Sequence, residues 1–155
     1  LRPESRGRIT LRSADPREPP RIEPGYLTAN TDLAATLRGV RLLRTIFAQP
    51  AFDRWRGIEL APGPDIASDA EITAWIRQSA APVFHPVGTC RMGNDPASVV
   101  DGRLRVRGID GLRVADASVM PAMPSGNTQA PAMMIGAQAA AFIAEELAGD
   151  TADAA

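Results

Sequence analysis

The sequence predicts a mixed α and β fold, and three observations support this. Short stretches alternate apolar and polar residues, longer ones space apolar residues as a helix does, and proline-rich or glycine-rich runs separate the two kinds. Residues 8–13, RITLRS, put Ile9 and Leu11 on one face and predict a half-buried strand. The following ADPREPPRIEPGY holds four prolines, so extended or turning chain is expected there. Residues 31–48, TDLAATLRGVRLLRTIFA, space Leu33, Leu37, Val40 and Phe47 as a helix, with Thr31 or Asp32 as its cap and Pro50 as its stop. Ser68 and Glu71 form an S-x-x-E capping box, and behind it Ile72, Trp75 and Ile76 mark one face of a second helix that ends by Pro82.

Past the segment FHPVGTC (84–90), GNDPAS reads as a turn and RLRVR (103–107) alternates as a strand. IDG (109–111) turns the chain into a short last strand, LRVAD. The loop ASVMPAMPSGNTQAP leads to a long apolar helix over about 129–148, with Pro131 in its first turn and Gly149 just past its end. Met120, Met123, Met133 and Met134 are expected to fill core.

Composition excludes several classes of function. The chain has 155 residues and a formal charge of −1; all 17 basic residues are arginines, interleaved with 18 acidic ones in no stripe, which argues against nucleic acid as a partner. A single cysteine makes no internal disulfide and fits a reducing compartment, so a cytoplasmic location is expected. No apolar run is long enough to span a membrane, and the opening LRPESRGRIT carries charge where a signal peptide would be apolar. Starting at leucine, the chain reads as part of something longer.

FHPVGTC holds the only histidine and the only cysteine. Zinc needs three or four ligands, and the nearby Asp95 and Asp101 lie across turns without ligand spacing, so no metal is expected. A Cys90–His85 nucleophile would need the imidazole to reach the thiol and a third group to orient it; Pro86 and Gly88 between them leave that geometry open. The plainer alternatives are Cys90 as a small buried hydrophobe and His85 as a hydrogen-bonded loop or core histidine.

Three further blocks bear on this choice: HPVGTCRMG (85–93), VVDGRLRVRGIDGLRVADASVMP (99–121) and SGNTQAPAMMIGAQAA (125–140). In this order, with SRGRITLRSADPREPPRIEPGYL (5–27) ahead of them, they resemble the C-terminal region of the glucose–methanol–choline (GMC) oxidoreductases, FAD-dependent enzymes that oxidise alcohols. The pattern looks most like the choline dehydrogenase-like members. The resemblance implies an α+β fold: an antiparallel sheet covered by helices, then a last strand and long C-terminal helix that return to an FAD-binding α/β domain outside the chain. It divides the chain into a substrate-binding region at 1–110, a return segment at 111–149, and a tail at 150–155 expected to be disordered.

The resemblance also assigns a site. His85 falls at the family's catalytic histidine, and Asn127 at the position of the second polar side chain. An imidazole titrates near neutrality and suits a proton acceptor, whereas an amide only donates a hydrogen bond to a developing alkoxide. Asp116, Ala117, Pro86, Val87, Asn127 and Thr128 are implied as FAD contacts, and Val83 and Phe84 as walls of the substrate cavity. For Asp116 the residues alone leave a second option, a local cap at a strand end. The implied partners are an alcohol substrate and an N-terminal FAD-binding portion, because the thirteen glycines never form G-x-G-x-x-G. The competing readings are one half of a split enzyme and a non-catalytic interaction domain derived from the same fold.

Overall fold

The structure, a computed structural model, describes residues 2–153. Two short strands come first, β1 (Arg8–Thr10) and β2 (Arg21–Glu23), then helix α1 (Asn30–Phe47), helix α2 (Asp69–Ser79) and helix α3 (Gln129–Asp153). Single 3-10 turns occupy Pro50–Phe52 and Ala117–Val119. The chain divides into two compact units, one of Pro3–Pro82 and the other running from Val83 onward together with Arg2.

In the first unit β1 and β2 pair antiparallel, with Ile9 opposite Ile22. The proline-rich stretch therefore contains a strand that its composition hides. Pro20 and Pro24 bracket RIE, and a residue before proline is steered into extended conformation. β1 is not half-buried as expected: Ile9 and Leu11 are exposed, as is Ile22 on β2, since nothing in this unit covers the pair. The backbones cross closely at the open end, where a Cβ on Gly7 would lie 2.2 Å from the Glu23 carbonyl oxygen. Only glycine fits there.

Helix α1 begins one residue earlier than expected, and Ala29 holds its N-cap position without a side-chain cap. Asp32 thus lies inside the first turn, where a carboxylate is favourable. There it accepts the backbone N–H groups of Glu4 and Ser5 at 2.9 and 2.7 Å, while Ser5 Oγ accepts the Ala29 N–H at 3.0 Å. The predicted stripe of Leu33, Leu37 and Val40 is half-buried and packs on α2; Phe47, at its far end, is exposed and meets Phe52 instead. Arg41 bonds Asp69 at 2.7 Å, and Arg44 makes a forked pair with Glu59, joining α1 to the start of α2 and to the loop before it. The capping box of α2 is formed: Ser68 Oγ accepts the Glu71 N–H at 3.2 Å and Glu71 accepts the Ser68 N–H at 2.9 Å. Ile72 and Ile76 are this unit's buried apolar residues, and Trp75 is half-buried.

In the second unit the expected strands RLRVR and LRVAD are not regular strands. Only isolated bridges form, Val100 with Val106 and Arg105 with Arg113. The reason lies in where the backbone donors go. The Asp101 carboxylate accepts the N–H groups of Arg103 and Arg105 at 2.8 and 3.0 Å, and Leu104, Gly108 and Gly111 all take positive φ. Alternation gave the right side-chain faces, with Leu104 buried and Val106 half-buried, but the turns break the ladder. Among the described residues the expected sheet covered by helices thus reduces to one two-stranded antiparallel pair in a chain with three helices.

Helix α3 runs past Gly149, which the sequence places beyond its end, to Asp153. Ala154 and Ala155, the end of the expected tail, lie outside the described residues. Ile135 and Ala139 are buried on one face, with Phe142 and Glu146 half-buried on the same stripe. Met120 and Met123 are buried and half-buried as expected. Met133 and Met134 are not core: they lie off the Ile135–Ala139 face of α3 and are exposed, as are Ile143 and Leu147.

Replacing Ile76 by alanine is expected to cost about 2–5 kcal/mol in urea unfolding. Ser68→Ala, which removes only the cap, is expected to cost about 1 kcal/mol. Equal costs would contradict this placement of Ile76 in the core.

Candidate active site

Three segments of the second unit meet on one apolar cluster of Val100, Leu104, Val119, Met120, Ile135 and Ala139. Val87 and Met92 pack on it from the first segment, Ala117 from the 3-10 turn, and Phe142 from α3. Backbone bonds then register the first segment against the second. The Cys90 N–H donates to the Ser118 carbonyl at 3.0 Å, and the Met92 N–H to the Val119 carbonyl at 2.8 Å. Gly88 has φ of 89°, and a Cβ there would stand 3.4 Å from the Met120 carbonyl oxygen. The glycine is needed first for its φ and only second for space.

This scaffold presents His85. Its ring is half-buried, and Nδ1 stands 3.0 Å from Thr128 Oγ1. Thr128 is buried, 8% exposed, and its carbonyl accepts the Ala132 N–H at 2.9 Å, so it occupies the N-cap position of α3. The histidine is thereby fastened to the N-terminus of the long helix. The expected partner, Asn127, lies one residue earlier and is exposed. Phe84 takes φ of 59°, an uncommon value for a bulky residue, and with Val83 it is exposed beside His85, at 82% and 73%. Pro86 is exposed and Val87 half-buried.

Asp116 does what a local cap does: its Oδ1 accepts the Ser118 N–H at 2.7 Å and starts the turn at Ala117–Val119. Asp116 itself is exposed and Ala117 half-buried. Cys90 is half-buried, and its backbone N–H anchors the loop. Among the described residues no group of three or more His, Cys, Asp or Glu side chains is placed to hold a metal ion, and no helix is long and apolar enough to cross a membrane.

The residue that sequence reasoning undervalued is Thr128, taken only as a flavin contact. One signal pointed to it. The long helix was placed from residue 129, which makes Thr128 the N-cap, a position where threonine is favoured for its hydroxyl.

Charged pairs hold α3 to the loop behind it. Arg103 bonds Glu145 at 2.8 Å and stacks over the Phe142 ring at 4.5 Å, while Arg113 bonds Glu146. The Arg113 guanidinium, with Arg103 alongside, keeps the Glu146 carboxyl below its ordinary value. Arg91 does the same, more strongly, to Asp95. At Asp101 burial pushes upward, but the bonds from Arg105 and Arg103 outweigh it and lower the value.

The family model described as GMC oxidoreductase matches residues 3–136. The chain belongs to the GMC oxidoreductase family, and the part it represents is the C-terminal domain. It is 48% identical over 147 residues to an alcohol dehydrogenase (acceptor) of Pseudomonas putida, a match covering 95% of this chain and 27% of that protein. It is 47% identical over 135 residues to an oxygen-dependent choline dehydrogenase of Chromohalobacter salexigens, covering 87% of this chain and 24% of that one. Among solved structures, pyridoxine 4-oxidase from Mesorbium loti superposes with a TM-score of 0.83 at 37% identity, over 90% of this chain and 27% of that one. The chain spans about a quarter of the length of the curated relatives it matches.

The lowered carboxyls predict an acid dependence. Their values in the folded chain lie below those in the unfolded chain, so their stabilisation is complete above the unfolded range and is lost as pH falls from there through the lower folded values. The Tm of the chain is expected to be flat from neutral pH to about 5 and to fall below about 4. Glu146→Gln should lower the neutral-pH Tm and shallow the acid slope; an unchanged slope would remove Glu146 from the anchor.

Proposed function

We propose that the chain is the substrate-side portion of an FAD-dependent alcohol oxidoreductase, with His85 as the base that takes the hydroxyl proton. The observation that carries this reading is the sole histidine, tethered through Nδ1 to Thr128 at the N-terminus of α3, beside exposed Asn127, Val83 and Phe84. The family assignment supports it, as do the relatives, an alcohol dehydrogenase, a choline dehydrogenase and a pyridoxine 4-oxidase.

The residues present fit a flavin. In the first turn of α3, Gln129 and Ala130 offer backbone N–H groups, Pro131 offers none, and the Ala132 N–H is already bonded to Thr128. Two donors at the positive end of a helix macrodipole suit the electron-rich edge of a flavin ring. Exposed Pro86 and half-buried Val87 would give it an apolar wall, and the family resemblance assigns Asp116 and Ala117 to its phosphate and ribityl chain. In this reading Pro86, Val87, Asp116, Ala117, Asn127 and Thr128 hold FAD, whose N5 supplies the hydride acceptor when bound.

The chain's own residues account for the rest. Val83 and Phe84 flank the alcohol and exclude water from the hydroxyl, which strengthens every polar contact there. His85 accepts the hydroxyl proton at Nε2, the nitrogen turned away from Thr128. The Asn127 amide donates to the alkoxide oxygen as its charge develops. Met133, Met134, Ile143 and Leu147 leave apolar surface exposed on α3 outside the Ile135–Ala139 face, and such surface calls for cover. The FAD-binding portion is the cover we assign, with 111–149 as the segment that returns to it and 1–110 as the substrate-binding region.

Flavin reduction by an alcohol, followed in the flavin-loaded enzyme, tests the base. His85→Ala is expected to slow it by about 10²–10⁴-fold, with Asn127→Ala slowing it less. An unchanged rate in His85→Ala would remove the histidine from the role, and an enzyme that binds no flavin would remove the reading altogether.

A further inference from the structure

We propose that Thr128 is a positioning residue that decides which nitrogen of His85 carries the proton. Nδ1–H donates to Thr128 Oγ1 across the 3.0 Å contact, and the lone pair is left at Nε2. The proposal rests on the base role given to His85 above and states how the ring is made ready for it.

The reason lies in the first turn of α3. A threonine at an N-cap ordinarily accepts a hydrogen bond from the backbone N–H of the second or third helical residue. Gln129 is the first such residue, Ala130 the second and Pro131 the third, and proline has no N–H. The third-residue donor is missing by covalent structure, and the contact that Oγ1 makes is the one with His85 Nδ1. Thr128 is buried, where a polar atom left without a partner costs about 1–3 kcal/mol. The imidazole Nδ1–H is that partner.

The opposite arrangement, with the threonine hydroxyl donating to Nδ1, puts the proton on Nε2. That nitrogen would then be a donor and unable to accept a proton from an alcohol. A neutral imidazole free in water favours that wrong form, so the threonine reverses the ring's own preference. Which nitrogen is protonated follows from the bond the other one makes. The fold supports the geometry from both sides. Val87, two residues after His85, packs on the cluster that also buries Ile135, seven residues after Thr128. Ring and hydroxyl are thus held by the same core.

His85 is the only histidine, so the chain's imidazole nitrogens are read by NMR without assignment. In the ¹⁵N-labelled 155-residue chain, at a pH where the ring is neutral, long-range ¹H–¹⁵N spectra should show Nδ1 protonated and Nε2 not. Thr128→Ser should keep that pattern, and Thr128→Val, close in shape but without the hydroxyl, should move the proton largely to Nε2. A wild-type chain with Nε2 protonated overturns the proposal, and so does a valine variant whose spectrum does not change. In the flavin-loaded enzyme Thr128→Val should lower the limiting rate of flavin reduction by roughly tenfold to a hundredfold, with KM changed less than about threefold and serine restoring the rate. A valine variant at full rate, in an enzyme whose His85→Ala variant is slow, also overturns it. Should the spectra come out as stated while His85→Ala reduces flavin at full rate, the base role fails and the proton assignment stands, so the two failures are distinguishable.

Discussion

The contact between Val100, Val119 and Ile135 is the constraint on which the rest of the second unit depends. Val100 and Val119 are fully buried and Ile135 nearly so. Each buried side chain of this size contributes about 1.5–3 kcal/mol. The three come from the loop after Cys90, from the 3-10 turn and from α3, so burying them together brings remote stretches of chain to one place. His85 and Thr128 lie 43 positions apart, and a single hydrogen bond between them could not offset the entropy of closing so long a loop. The core sets the distance, and the bond then selects the ring's orientation.

Around that core, polar groups stabilise by saturating backbone donors where no sheet can do so. Asp101 serves the N–H groups of Arg103 and Arg105, Asp95 that of Ala97, and Asp116 that of Ser118. Each carboxylate starts a turn in a segment that must bend around the cluster. Arginines then neutralise two of these carboxylates, Arg91 pairing with Asp95 and Arg105 with Asp101, as Arg113 does Glu146 on α3. The interleaved charge of the sequence therefore has a structural meaning, as caps and clips for irregular chain.

How much of this could be read beforehand varied with the kind of signal. The first two helices were readable from a 3.6-residue pattern with local start or stop signals, the third from a long apolar run with Pro131 in its first turn, and the capping box at Ser68 and Glu71 formed as its spacing requires. Strands were harder. RLRVR alternates correctly, yet Asp101, Gly108 and Gly111 turn its backbone away from a ladder, and RIE was concealed between prolines while pairing with β1. At the site, family pattern pointed to His85, Asn127 and their neighbours, but the Nδ1 contact with Thr128 depends on a long-range meeting that no local periodicity encodes. Met133 and Met134 illustrate the same limit. Apolar character predicted burial, and only the packing of Ile135 and Ala139 decides which side of α3 is the inner one in this chain.

His85 can serve as the base only if its second nitrogen points at the alcohol oxygen. A crystal structure of the flavin-loaded enzyme with an unreactive alcohol analogue would measure it directly. Nε2 of His85 should lie about 2.6–3.2 Å from the analogue's oxygen, with Nδ1 still on Thr128 Oγ1. An oxygen held by another side chain, or a ring turned so that Nδ1 faces the alcohol and Thr128 is released, would contradict it.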